Sequence, residues 1–298
     1  MLLSPEPQTA VSPAPARSRC ALETLHEQGS GLQNEDVLLR AGDLLGVFDG
    51  ATSLDGFLDR DGATGGYRAA QLAAQVFADE PGDLASRAQR ANRAIRSAQH
   101  DHGIPLEQRQ RLWSTSMAVT RLHDGWFEYC QIGDSMILLL YRDGRHELLT
   151  PEIDIDAETL LQWKRLPASA PPIQISLASQ ILAVRLQMNV RYGVLNGEPK
   201  SLSFLSHGRR SLSDLAGILL FTDGLLLPKS EPGEATDWQW FADLYRLGGL
   251  AGIRNHVRML QRQDPDCRQF PRFKRHDDIA AVAITLPAGT VSPHHKPH

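Results

Sequence analysis

Carboxylates bracket the apolar runs of this 298-residue chain. Asp49-Gly50 follows Leu44-Leu45-Gly46-Val47-Phe48, and Asp223-Gly224 follows the run from Gly217 to Thr222. Gly133-Asp134 closes the run from Phe127 to Ile132. Asp277-Asp278 opens the run from Ile279 to Leu286, and Glu35-Asp36 opens Val37-Leu38-Leu39. One Asp-Gly pair reads as a turn; acidic tips on five separate apolar segments read as a set. A carboxylate at the end of a buried strand must be solvated, paired or bound to a cation. If these tips converge, their mutual repulsion at low dielectric is severe, and divalent cations remove it. The donors are all oxygen, with no Cys or His, which suits Mg²⁺ or Mn²⁺ rather than zinc or copper. One aspartate can bridge two such ions about 3.5–4 Å apart, and paired ions activate water against phosphoryl centres. Glycine after the aspartate allows a sharp turn and brings its carbonyl close to a ligand. The competing reading makes each tip an unconnected turn or cap.

The elements that must position these tips follow from periodicity. Residues 36–48 read as two short strands around the turn Ala41-Gly42-Asp43. Residues 64–79 read as a helix, with Ala69, Leu72, Ala73, Val76 and Phe77 at helical spacing. Residues 82–101 and 105–113, rich in Ala, Arg and Gln, read as further helical segments. Three strands follow, around Ser116–His123, Gly125–Gly133 and Met136–Gly144, with Asp-Gly turns at Asp124-Gly125 and Asp143-Gly144. Gly217–Leu226 reads as a buried strand, Asp237–Arg262 as mostly helical and Ile279–Leu286 as a last strand. Strands, helices, strands and helices in this order, with hairpins in place of regular βαβ units, indicate an α+β fold with antiparallel sheets and helices packed outside. Residues 152–210 are read as a flap or insertion: Pro167–Ser176 as loop and Ile181–Leu195 as a strand region. Asn196-Gly197 is expected to be a tight turn. Residues 1–18 and 288–298, rich in Pro, Ser and Ala or in Pro and His, are expected to be disordered tails, which leaves 19–287 as one domain.

Composition bounds the function class. Hydrophobic residues make up 42% of the chain and charged residues 22%, as in a globular protein with a full core. The formal net charge of -4, without a long Lys/Arg block, argues against a nucleic-acid partner. Three dispersed cysteines, Cys20, Cys130 and Cys267, point away from a disulfide framework and toward a reducing compartment. With no apolar run long enough to span a bilayer and no signal-peptide pattern at the N-terminus, the expected location is cytoplasmic, with no membrane partner.

In order along the chain, these motifs resemble the PPM-type, metal-dependent serine/threonine phosphatases of the protein phosphatase 2C class, in their bacterial form. Asn34-Glu35-Asp36 resembles the opening motif and Val47-Phe48-Asp49-Gly50 the strand that ends in Asp-Gly. Gly65-Gly66-Tyr67-Arg68-Ala69-Ala70 resembles the Gly-Gly helix start, and Ser114–Ala118 a strand start. Ile132-Gly133-Asp134-Ser135, Phe221-Thr222-Asp223-Gly224-Leu225 and Asp277-Asp278-Ile279-Ala280 are similar to the three later motifs. The resemblance implies an αββα sandwich of two antiparallel sheets flanked by helices, with two Mn²⁺ or Mg²⁺ ions at one end and a third, weaker site. It implies hydrolysis of phosphoserine and phosphothreonine in proteins by a metal-activated water, without a phospho-enzyme, a phosphorylated protein as substrate and a cognate kinase as counterpart in signalling. Asp49, Asp223 and Asp277 then carry catalysis and the first metal, Asp49 bridging both ions with help from the Gly50 carbonyl. Glu35 and Asp36 act on the second through water, Asp134 with Asp223 forms the third, and Asp278 is a further metal-centre candidate that trades places with Asp277 if the alignment slips by one.

The chain departs from the pattern in two places. Where many members carry a phosphate-gripping arginine, it has Gly31; Arg40, Arg60 and Arg68 are the substitutes considered. Where a histidine often follows Asp-Gly, it has Ala51, which leaves His276 as a candidate proton donor, against the plainer reading of a surface histidine. Arg272, Lys274 and Arg275 form a basic group beside Asp277. These departures sustain a second hypothesis: a catalytically weak or inactive module of the same fold that binds a phosphoprotein or regulatory partner.

Overall fold

The computed structural model describes residues 20–287, so both expected tails, 1–18 and 288–298, lie outside the described residues. Strands β1 (Ala21–Glu27), β6 (Met136–Tyr141), β7 (His146–Leu148), β9 (Leu215–Phe221) and β10 (Ile279–Thr285) form one antiparallel sheet in the order β1-β10-β9-β6-β7. Strands β2 (Val37–Ala41), β3 (Leu44–Ala51), β4 (Ser114–Leu122), β5 (Trp126–Ile132) and β8 (Ser206–Ser211) form the other, in the order β2-β3-β4-β5-β8. Helices α1 (Gly65–Asp79) and α2 (Leu84–Asp101) cover the second sheet, and the long α6 (Trp238–Gln263) covers the first.

The layering follows from strand periodicity. Val47, Ala118, Ile137, Leu139, Ile218, Leu220, Ala280 and Val282 point between the sheets. Their immediate neighbours turn the other way. Phe48, Met117 and Val119 pack under α1 and α2 beside Phe77 and Ile95, while Leu138, Leu219, Phe221 and Ala281 pack under α6 beside Phe241, Ile253 and Val257. Strands buried on both faces read as continuous apolar runs, so the central strands stand out in the sequence. The edge strands β1 and β8 carry Glu, His and Arg, as exposed edges commonly do, and hide their strand character.

Four sequence expectations need correction. The Ile181–Leu195 region is helical at its start: α5 spans Ala178–Arg185, after α3 (Ala157–Arg165) and the short α4 (Ile173–Ser176). Leu182 and Leu186 are exposed, so the apolar alternation there reports no sheet face. Residues 105–113 contain a single 3₁₀ turn, Arg109–Arg111, rather than a helix. Strand β3 does not stop at Asp49; it continues to Ala51, with Asp49 opposite Ser116 of β4. Finally, Pro167–Ser176, read as loop, ends in the helical turn α4, whereas Asp237–Arg262 is mostly helical as expected, with a kink at Gly248 and Gly249, where Gly249 takes φ of 64°. The turn at Asn196-Gly197 is as expected: Gly197 has φ of 86°, and the Asn196 side chain accepts the Glu198 N–H at 3.0 Å.

Candidate functional site

The topology brings the acidic tips to one end of the sandwich. Asp36 opens β2, Asp49 lies near the end of β3, Asp134 sits in the β5–β6 turn, Asp223 follows β9 and Asp277 precedes β10. A cleft of about 540 Å³ is lined by Asp49, Asp134, Asp223 and Asp277, together with Asp156 from the helical segment between β7 and β8. Sheet pairing explains the convergence: β9 lies between β6 and β10, so Asp134, Asp223 and Asp277 leave adjacent strand ends. Asp36 reaches them from the opposite sheet. Its Oδ2 accepts the Thr222 hydroxyl at 2.7 Å, a buried bond that ties the two sheets together beside the cleft.

Two glycines make the close approach possible. A Cβ on Gly50 would lie 2.5 Å from the Gly66 backbone and 2.7 Å from the Glu35 carbonyl. A Cβ on Gly224 would lie 1.8 Å from the Asp278 carbonyl. Both values are far inside van der Waals contact, so only glycine lets α1 and β10 sit against these acidic loops.

The electrostatics are those of charges held close without enough counter-charge. Burial raises the Asp49 carboxyl well above its ordinary range, and the charges of Asp36, Asp223 and Asp134 raise it further. Asp36 is raised well above its usual value by burial, against the lowering effect of the Thr222 bond. Asp223 has open space beside it in the cleft, yet enclosure by the surrounding protein, followed by the Asp277 and Asp134 charges, raises it strongly. Asp134 is also raised, first by burial, with a bond from Ser116 pulling the other way. Asp156 is pushed up to about 7 by burial and then by the Asp134 charge. The cation inside the cluster is Lys274, whose Nζ lies 3.0 Å from Asp277 Oδ1. Burial would lower its pKa, but the Asp277 charge and bond outweigh that and hold it raised.

The remaining candidates divide by what they touch. Glu35 is buried, and its carboxylate accepts the Thr64 hydroxyl at 2.6 Å and the Thr52 hydroxyl; Thr64 also caps α1. Asp278 turns away from the cleft: Oδ1 accepts the Gly29 N–H at 2.7 Å and Oδ2 the Glu35 N–H at 2.9 Å. The adjacent pair therefore divides its roles, with Asp277 facing the cluster and Asp278 holding the backbone of the β1–β2 connection. Arg68 is engaged by Asp59 and Asp61. Arg40 lies four residues along β2 from Asp36, about 13 Å at strand rise, and Arg60 is exposed on the β3–α1 connection. The His276 carbonyl accepts the Ser30 N–H at 2.9 Å, and its ring does not line the cleft. Sequence reading misses two residues that do line it: Asp156, which opens α3, and Arg185, which ends α5.

The donor set fits a hard divalent cation. All its donors are oxygen, four of the carboxyls are destabilised as anions by burial and by one another, and Lys274 is the single ammonium among them. Among the described residues, no three Asp, Glu, His or Cys side chains close on one point tightly enough to hold an ion without moving.

Comparison with known proteins bears on the family and the fold. The family model described as Protein phosphatase 2C matches residues 26–257, a span that holds Glu35, Asp36, Asp49, Asp134 and Asp223 but stops before Asp277. A search of curated protein sequences finds no match. Among solved structures, the chain is similar to the catalytic domain of the serine/threonine phosphatase PstP in complex with two manganese ions. The identity is 20%, the TM-score 0.54, and 89% of this chain and 97% of that one are covered. It is also similar to PppA, a regulatory component of the type VI secretion system in Pseudomonas aeruginosa, at 18% identity and TM-score 0.55, covering 90% and 98%. A third is the serine/threonine phosphatase Stp1 from Staphylococcus aureus, at 14% identity and TM-score 0.54, covering 91% and 96%. At such identities these likenesses show the fold. Among the described residues no helix is long and apolar enough to cross a membrane.

Proposed function

Because the chain belongs to the protein phosphatase 2C family, we propose that it hydrolyses phosphoserine and phosphothreonine in proteins, with divalent metal held by its acidic cleft. The observation that carries this reading is the set of Asp49, Asp134 and Asp223, each raised by burial and gathered around one opening, with Asp36 buried and raised behind them. A set that costs this much as anions is kept at a cation site and has no purpose in a purely packed core.

Asp49, Asp223 and Asp277, with the Gly50 carbonyl, are the residues we assign to hold the cations; Asp36 and Glu35 lie behind them, and Asp134 with Asp223 offers a further position. Bound Mn²⁺ or Mg²⁺ supplies an acidified water at neutral pH and neutralises charge on a phosphoryl group. The chain's own residues do the rest. Asp278 fixes the backbone before Glu35 by accepting two amide protons. Thr222 holds Asp36 in register with the β9 end. Lys274 orients Asp277 by its bond to Oδ1. Asp156, pushed up to about 7 by burial, exchanges a proton near neutral pH on the wall of the cleft.

A phosphothreonine peptide and p-nitrophenyl phosphate, each assayed with Mn²⁺, test the reading. Turnover that EDTA abolishes supports it; turnover unchanged by chelation overturns it. The reading of an inactive binding module predicts phosphopeptide binding without turnover in the presence of Mn²⁺.

A further inference from the structure

A phosphorylated substrate carries about two negative charges near neutral pH, and the cleft it must enter is lined by Asp49, Asp134, Asp156 and Asp223. Metal balances the carboxylates, but orienting the phosphoryl group needs donors that face it. Two cationic side chains line this cleft, Lys274 and Arg185. Lys274 is paired with Asp277 at 3.0 Å. Arg185 has no carboxylate partner among the described residues: its Nη2 donates to the Thr52 carbonyl at 2.8 Å and its Nη1 to the Ser114 hydroxyl at 3.3 Å, both neutral oxygens.

Sheet register locates this guanidinium. Ser114 is paired with Ala51 and Ser116 with Asp49. Its two anchors therefore lie two and three residues beyond Asp49, about 7–10 Å along the strand. The other arginines considered are placed elsewhere: Arg68 is engaged by Asp59 and Asp61, and Arg40 is remote along β2. A guanidinium has five N–H donors in a fork that matches phosphate oxygens. Two are engaged here, by acceptors that hold its plane without neutralising its charge. The next turn supports it further, since the Tyr192 hydroxyl donates to the Val184 carbonyl at 3.2 Å.

We infer that Arg185, delivered to the cleft by the helical segment between β7 and β8, is the guanidinium that grips the substrate phosphate in this chain. The inference rests on the phosphatase reading for the identity of the substrate, while its ligand chemistry, a phosphate dianion, is testable alone. That segment then supplies the anion-binding donor for a site whose carboxylates come from the sandwich.

The test compares wild type, Arg185→Ala, Arg185→Lys and Arg191→Ala, all full length and loaded with Mn²⁺. Arg191 is exposed on the same segment and does not line the cleft. Inorganic phosphate is titrated calorimetrically and also used as a competitive inhibitor of p-nitrophenyl phosphate hydrolysis. Arg185→Ala is expected to weaken phosphate binding and raise KM about 10–100-fold, the loss of a charge-assisted pair, with Mn²⁺ affinity unchanged. Arg185→Lys should recover part of the affinity, because it keeps the charge and loses the fork. Arg191→Ala should match wild type. Phosphate affinity and KM unchanged in Arg185→Ala, or weakened equally in Arg191→Ala, overturn the inference. So does a wild type that binds no phosphate at millimolar concentration. If Arg185→Ala does not fold, Arg185→Lys with wild-type affinity and KM overturns it equally. The two readings separate: a wild type that binds phosphate through Arg185 but hydrolyses nothing defeats the hydrolase, whereas Mn²⁺-dependent hydrolysis that ignores Arg185 defeats only the grip.

Discussion

Two groups of partly buried carboxylates in this molecule have opposite electrostatics. At the cleft, Asp49, Asp134 and Asp223, with Asp36 buried behind them, are raised as acids, first by burial. In the connection between α5 and β8, Glu198 is also partly buried, which alone would raise it. Yet it accepts Arg109 Nε at 2.7 Å, Asn196 Nδ2 at 2.9 Å and Asn189 Nδ2 at 3.1 Å, and these partners lower it below the ordinary glutamate value. Burial is common to both, and partners make the difference. A carboxylate whose oxygens are all claimed by the protein is a structural joint. A carboxylate whose nearest charged neighbours are other carboxylates is waiting for a cation from outside.

The sharpest way to break this comparison is to neutralise one acid in each group. Asp49→Asn should cut Mn²⁺-dependent hydrolysis at least about a hundredfold while making the metal-free protein more stable at pH 8, since a repelled buried charge is removed. Glu198→Gln should leave Mn²⁺ affinity intact and lose about 1–3 kcal/mol of stability, because Arg109 is left without its anion. Thermal melts with and without Mn²⁺, beside the hydrolysis assay, read both. If Asp49→Asn destabilises the metal-free protein as Glu198→Gln does, the two groups do not differ in the way described.

A smaller effect sharpens the contrast through pH. Asp156 is pushed up to about 7 from an ordinary value of 3.8, so the folded protein holds a proton that the unfolded chain has released. The stability from that proton is present below about pH 4 and is lost as pH rises through 7. Raised Asp36, Asp49 and Asp223 act in the same direction. Glu198 and Glu152 are lowered, so their contribution is present above about pH 4.5 and is lost only as pH falls through their folded values. The metal-free protein should therefore melt at lower temperature at pH 8 than at pH 5, and saturating Mn²⁺ should flatten or reverse that slope. A melting temperature that rises from pH 5 to pH 8 without metal would contradict the pKa pattern.

The same contrast governs how much the sequence discloses. The cleft acids are legible because each is local to an apolar strand buried on both faces, and Asp49, Asp134, Asp223 and Asp277 sit next to the runs that place them. Arg185 is not. Its two acceptors lie 71 and 133 residues away in the chain, and no local pattern marks it. The segment that carries it reads as strand because Leu186, Met188 and Val190 alternate with polar residues. Leu186 and Val190 are exposed, so the alternation there is not enforced by burial. Similarly, β1 and β8 escape a reading by pattern because edge strands need only one partner and keep polar side chains. The Asp277-Asp278 ambiguity needs coordinates, since both residues are acidic and only hydrogen bonding tells the inward carboxylate from the one on Gly29 and Glu35.

The smallest expected effect concerns His276, which adjoins Asp277 in sequence without sharing its role. Burial, followed by the charges of Arg258, Arg272 and Arg262, lowers this imidazole below its usual value, which favours its neutral form over the imidazolium a general acid needs. Its main-chain carbonyl accepts from Ser30, its main-chain N–H donates to the Ser30 hydroxyl at 3.3 Å, and its ring lies outside the cleft lining. His276→Ala should therefore change kcat for p-nitrophenyl phosphate by less than about twofold and leave the alkaline side of the pH profile in place, which a general acid would not allow. A tenfold fall in kcat with slow leaving groups, absent with p-nitrophenolate, would restore His276 as a proton donor. It would also show that an acid outside the carboxylate cluster takes part in the chemistry.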